Sequence, residues 1–199
     1  MILTGRFLVV LACTLCCIQS FSQLDDAAIH DLKGGNISSD TSYVYCLPYE
    51  AGKSHLLIQG ANSRLSHRHE LSLDFKMKIG CKVLAARDGI VIEAKSDSKR
   101  GGLKHENYSD GNFIIIKHGD GSTAYYWHLT YNGVKVNVGE IIKKGQFIGL
   151  SGNTGYTAFP HLHFQVTDRD GRQTLARFQT KHGVRYLRPG NWYRSIQLQ

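Results

Sequence analysis

His161-Leu162-His163-Phe164-Gln165-Val166 reads as one strand with two chemically different faces. Side chains alternate across a β-strand, so Leu162, Phe164 and Val166 share an apolar face while His161, His163 and Gln165 share the other. Two imidazoles at i and i+2 with no apolar neighbour on their face point to a metal or acid–base site rather than to packing. The stretch 71–77 repeats the pattern: Leu71, Leu73, Phe75 and Met77 form one face, and Asp74 lies on the other beside Ser72 and Lys76, with His67 and His69 just upstream. In 123–129, alternation places Tyr126 and His128 on one face and Trp127 and Leu129 on the opposite one. Three strands can therefore present His, Asp and His to one groove. Two imidazoles and one carboxylate leave a tetrahedral zinc ion one position for water, the arrangement that hydrolysis requires.

The rest of the chain sets these strands in an all-β, antiparallel context. Short β-like runs at 43–46, 55–59, 82–86, 90–94 and 113–117 are punctuated by Gly, Asn and Asp, and no long amphipathic helical pattern interrupts them. His118-Gly119-Asp120-Gly121-Ser122 between two such runs predicts a hairpin. Residues 96–111 read as a long polar loop, either a lid or a solvated insertion. The glycine-rich stretch 149–155 lacks the Gly-Lys-Ser/Thr ending of a phosphate loop and reads as a turn shaping the groove wall. His118 and His105 are expected to be structural or exposed, and Tyr126 to line the groove or pack as a half-buried tyrosine.

Of the 199 residues, 42% are hydrophobic and 20% charged, a globular balance that excludes a disordered or fibrous chain. Lys and Arg exceed Asp and Glu by 24 to 16, so the formal charge is +8 and anionic polymers are natural partners, without nucleic acid being required. Residues 1–22 carry Arg6, an apolar run and small residues at Ser20 and Ser22, which reads as a secretory signal, too short for a membrane span. Residues 23–42 are polar and read as a linker or mobile arm, leaving 43–199 as one domain. Three of the five cysteines fall in the signal segment; Cys46 and Cys81 could pair in an oxidising compartment or remain buried thiols.

These residues resemble the lysostaphin-type, or LytM-like, zinc metallopeptidases, which cut peptide bonds in bacterial peptidoglycan. The resemblance is carried by Ser66-His67 followed by Asp74-Phe75, by Trp127-His128-Leu129, by Gly152-Asn153-Thr154-Gly155 and by Pro160-His161-Leu162-His163-Phe164, in that order. It implies an antiparallel β groove with one zinc ion held by His67, Asp74 and His163, with His128 and His161 as catalytic imidazoles whose base and acid roles stay open. It also implies peptidoglycan peptide stems as substrate, an exported protein in the periplasm or cell envelope, and no membrane span after signal cleavage. Six residues separate His67 from Asp74, whereas many members have three, so His69 is a rival first ligand. The Ser-His start favours His67. Some relatives lose zinc ligands and act as silent activators of other hydrolases, or bind the wall only. All five site positions are present here, which argues against that alternative.

Overall fold

The structure, a computed structural model, describes residues 43–63, 66–68 and 70–196 together with His30. The expected signal segment 1–22, the linker 23–42 apart from His30, and His69 lie outside the described residues. The strands are β1 (Val44–Tyr45), β2 (Ser54–Gln59), β3 (Leu73–Lys76), β4 (Lys82–Leu84), β5 (Gly89–Lys95), β6 (Gly101–Gly102), β7 (Asn112–Lys117) and β8 (Thr123–Val134). They continue as β9 (Ile141–Ile142), β10 (Phe147–Ser151), β11 (Gly155–Tyr156), β12 (His161–Thr167), β13 (Arg177–Thr180), β14 (Gly183–Tyr186) and β15 (Trp192–Arg194). One 3-10 turn, His105–Asp110, accompanies them. The main sheet has the order β15-β2-β3-β12-β8-β7-β5-β9, with β10 bonded to β8 and β4, and a smaller sheet has the order β1-β13-β14. Pairing is antiparallel throughout except for the short contacts of β1 with β13 and β6 with β11.

The two-faced reading of β12 holds because the strand is central and its apolar face has a core to meet. Leu162, Phe164 and Val166 are buried, and Phe164 packs edge-on against Tyr126 at 5.2 Å and Phe178 at 5.7 Å between ring centres. Residues directly opposite in an antiparallel pair share a face. Phe164 stands opposite Leu73 and Tyr126, and His163 opposite Asp74 and Trp127, so the sheet register carries the chemistry as well as the core.

All eight predicted strand runs contain strands, while β6, β9, β10, β11 and the C-terminal β13, β14 and β15 were not anticipated. Their sequences explain the omission. Gly149 interrupts the apolar signal of β10, and β14 and β15 are almost wholly exposed edge strands that lack an apolar period. The stretch 96–111 is not a plain loop. It contains β6 and the 3-10 turn, and it is tied down by Lys95 Nζ donating to the Ser109 carbonyl at 2.5 Å and by Tyr108 stacked on Tyr156 at 4.2 Å.

Cys46 and Cys81 are both free thiols, and Cys46 Sγ donates to the carbonyls of Ala85 and Ala86 at 3.4 and 3.3 Å. No helix among the described residues is long and apolar enough to cross a membrane.

His118 closes the predicted hairpin and is structural. It is buried, its Nδ1–H donates to the Asp88 carbonyl at 2.7 Å, and Nε2 has no hydrogen-bond partner among the described residues. Burial, with Arg87 adding to it, pushes its pKa down to about 4. A histidine that binds its proton less readily when folded makes the unfolded state the better proton acceptor between about pH 4 and its ordinary value near 6.5. Stability should therefore fall by up to roughly 3 kcal/mol as pH drops through this window. Thermal melts of the wild type and His118→Asn from pH 7 to pH 4 should show the wild type losing stability more steeply; parallel curves would contradict the assignment.

Candidate functional site

The register of β3, β12 and β8 gathers four of the five predicted site residues, and the segment preceding β3 adds His67. One donor atom each from His67, Asp74 and His163 lies within 4.8 Å of the others, and the same holds for His128, His161 and His163. His163 belongs to both groups. Asp74 is the hub. Its Oδ1 accepts from His163 Nδ1 at 2.9 Å and lies 3.5 Å from His161 Nε2, while its Oδ2 lies 3.2 Å from His67 Nε2.

Each imidazole is oriented by its other nitrogen. His67 Nδ1–H donates to the Ser72 carbonyl at 3.1 Å, His128 Nδ1–H to the Thr154 carbonyl at 2.7 Å, and His161 Nδ1–H to the Phe159 carbonyl at 2.9 Å. Those bonds fix the tautomers and leave the Nε2 lone pairs of all three rings for other work. At His67 the Nε2 lone pair then faces a carboxylate oxygen, a pairing that a cation between them would satisfy. The donor set of two imidazoles and one buried carboxylate suits a divalent, borderline-soft ion.

His128 reaches the site by a route that alternation does not provide. Tyr126 is not beside it on the groove; it is fully buried in the core, its hydroxyl accepting from Ala86 N–H at 2.8 Å. Leu129 is also core, so Trp127 and His128 are the two consecutive residues turned away from it. The reason is a β-bulge. Between the pairs Asn112–Leu129 and Phe113–Trp127 the strand β8 has one residue more than β7, and that residue, His128, has φ +64°.

The bulge is pinned from behind. Thr154 Oγ1 donates to the Leu129 carbonyl at 2.7 Å and accepts from Asn112 N–H at 2.9 Å, all three groups being buried. Gly155 (φ +86°) completes the seat: a Cβ there would stand 2.7 Å from Gly111 Cα and 3.4 Å from His128 Nδ1. The stretch 149–155, expected to be a turn in the groove wall, is instead the end of β10, the start of β11 and a backbone shelf under His128.

Two residues were missed in sequence. Glu70 Oε1 lies 3.3 Å from His163 Nε2 and accepts from Ser72 Oγ at 2.5 Å. Gln59, opposite Asp74 in the β2–β3 register, donates from Nε2 to Asp74 Oδ2 at 2.8 Å and to Ser66 Oγ at 2.7 Å. Glu70 has the same parity as Ser72 and Asp74, so the alternation that located Asp74 could have located it. Nothing in the local sequence marks Gln59.

The electrostatics divide the imidazoles. Burial alone would push the carboxyl groups of Asp74 and Glu70 up, but the hydrogen bonds from His163 to both outweigh it and hold them below the usual carboxylate range. Burial likewise opposes a charged His163, yet Asp74 and Glu70 on its two nitrogens raise it to about 10. His128 is pushed down to about 3 by burial and by the neighbouring His161 and His163, and His161 is lowered by burial against the pull of Asp74. The site therefore has one cation-favouring position, at His163 between two carboxylates, and two neutral imidazoles beside it.

Fold and site together define an antiparallel β domain built around a cluster of imidazoles and carboxylates able to hold a metal. The chain belongs to peptidase family M23, whose model matches residues 68–175, just over half of the sequence. It is 39% identical over 118 residues to the glycyl-glycine endopeptidase ALE-1 of Staphylococcus capitis, covering 59% of this chain and 28% of that protein. It is 36% identical over 96 residues to the peptidoglycan DD-endopeptidase ShyA of Vibrio cholerae, covering 48% of this chain and 20% of that one. The matched part thus spans less than a third of the length of these relatives. A point mutant of the catalytic domain of the prophage-encoded M23 protein EnpA from Enterococcus faecalis shares the fold, with a TM-score of 0.50 at 21% identity over 65% of this chain and 93% of that domain.

Proposed function

We propose that this protein is an exported zinc metalloendopeptidase that hydrolyses peptide cross-links of bacterial peptidoglycan. The observation that carries the reading is the convergence on Asp74 of His67, His161 and His163, with His128 beside them, in a chain whose family includes proteins named as peptidoglycan and glycyl-glycine endopeptidases. Export rests on the signal-like segment 1–22.

His67, Asp74 and His163 would hold the metal. Zinc, when bound, supplies a Lewis acid for the scissile carbonyl and lowers the pKa of a water ligand to about 7. His128 and His161 do the proton work. Their Nδ1–H groups are committed to backbone carbonyls, so each presents a neutral Nε2 that can take a proton from the attacking water, and the resulting imidazolium can steady the oxyanion or return the proton to the leaving amine. His67 is preferred to His69 as the first ligand because its Nε2 already faces Asp74. On this reading His67→Ala should lose zinc and His69→Ala should keep it.

Glu70 would orient His163 through Nε2, as a carboxylate behind a metal-bound imidazole commonly does. Glu70→Gln should weaken zinc binding roughly 10- to 100-fold, measured by competition with a chromophoric chelator. Unchanged affinity would make Glu70 a bystander.

Mass spectrometry of muropeptides from sacculi treated with the purified protein tests the whole reading. Cross-linked dimers should give way to monomers, the change should be blocked by chelator and restored by zinc, and the product masses should name the bond. Intact dimers with zinc bound would refute hydrolysis, and intact dimers with no zinc bound would refute the metal centre as well.

A further inference from the structure

Outside residues 68–175 the C-terminal segment builds a second concave site that shares no residue with the metal centre. An open cleft of about 810 Å³ lies between β14, the edge strand of the small sheet, and β15, the edge strand of the large one. Its wall carries Lys181, Arg185, Arg188 and Arg194, together with Trp192, and no Asp or Glu. Among the described residues none of these four cations has a carboxylate within 4.0 Å, whereas Lys82, Arg87, Arg100 and Arg172 each do. Four like charges gathered around one concavity repel one another and are stabilised only by an anionic occupant or by counter-ions.

The wall is braced by its own hydrogen bonds. Tyr193 Oη accepts from Arg188 N–H at 2.7 Å and donates to the Arg188 carbonyl at 3.2 Å, and Asn191 Nδ2 donates to that same carbonyl at 3.2 Å. Tyr49 Oη holds the Tyr193 carbonyl at 2.8 Å from the core, and Arg185 Nη2 donates to the His182 carbonyl. Trp192, 67% exposed, therefore stands on a braced edge and lines the same cleft as the guanidinium groups. Guanidinium forks match carboxylates and phosphates, and a large flat ring takes the C–H face of a sugar. The volume exceeds what a single small anion needs. β15 is bonded to β2 and β2 to β3, so the cleft lies two strands from Asp74 in one sheet.

We propose that the cleft between β14 and β15 binds an acidic polysaccharide and holds the enzyme on an anionic envelope polymer. The choice of a glycan over a nucleic acid rests on the wall-hydrolase reading above; the choice of an anion does not.

The test is titration of the full-length protein, followed by tryptophan fluorescence, with a galacturonic acid octamer, the neutral sugar chitohexaose, inorganic polyphosphate and an oligodeoxythymidine. The acidic sugar should bind and the neutral one should not, and binding should weaken about tenfold as salt rises from about 0.05 to about 0.3 M. The double variant Arg185→Ala/Arg188→Ala should weaken it by a further factor of about ten, with Arg185→Gln/Arg188→Gln as the substitute if the first fails to fold. Trp192→Ala, followed by calorimetry, should weaken the acidic sugar and leave polyphosphate unaffected. Equal binding of the neutral sugar, no binding of the acidic one, or affinity unchanged in the arginine variants would overturn the site. Tighter binding of oligodeoxythymidine or of polyphosphate than of the acidic sugar, or no effect of Trp192→Ala on that sugar, would overturn the glycan. Cleavage of sacculi without glycan binding would defeat this proposal alone, and glycan binding without cleavage would defeat the peptidase reading alone.

Discussion

Asp74→Ala is expected to abolish zinc binding and cross-link cleavage together, with zinc affinity falling on the order of a thousandfold or more. The size of the effect follows from how many groups converge on one carboxylate. Asp74 is almost fully buried, and its two oxygens meet His163, His161, His67 and Gln59. Removing it deletes the proposed anionic ligand and leaves the Gln59 amide and several imidazole nitrogens facing a void, so a loss of folding stability accompanies the loss of metal. Asp74→Asn separates the two consequences. It retains an oxygen and most of the packing but not the charge, so it should fold better than Asp74→Ala while still binding zinc poorly. Metal content by mass spectrometry beside a thermal melt reads both, and full zinc occupancy in a folded Asp74→Ala protein would refute the ligand assignment.

His161→Ala should give the opposite pattern, with zinc retained and turnover reduced by roughly 10²- to 10⁴-fold. His161 is clamped by the Phe159 carbonyl and by Thr157 Oγ1, 3.3 Å from its Nδ1, and its Nε2 stands 3.5 Å from Asp74 Oδ1, farther than His163 or His67 from that carboxylate. Its contact with the ligand group is therefore peripheral, while its neutral Nε2 is placed for proton transfer. His128, whose ring centre is 4.6 Å from that of His161, should behave alike. The double variant should lose little more than either single one if the two imidazoles act as one unit. Steady-state cleavage of a purified cross-linked muropeptide, normalised to zinc content, makes the comparison, and zinc loss in His161→Ala would move that residue into the ligand set.

Alternation in β12 and β3 was enough to place Leu162, Phe164 and Phe75 in a core and His163 and Asp74 together on the other face, because a central strand with one apolar side has a single way to bury it. The order of the His and Asp motifs was likewise enough to suggest the family. The position of His128 was not legible in this way. Period two assigns it to the face of Tyr126, and only pairing with the shorter β7, which forces an extra residue out of register at φ +64°, turns it toward His161. Gln59 and Asp74 are 15 residues apart and meet through strand register, and Glu70 meets His163 across a separation of 93. The cationic cleft was invisible for a related reason: Lys181, Arg185, Arg188 and Arg194 read as scattered surface charges until two sheet edges bring them around one concavity. In the regular strands β3 and β12 local periodicity determined which side chains face away from the core, since that depends on neighbours along one strand. Which of those side chains meet depends on pairing between strands distant in the chain, and only the tertiary structure decides it.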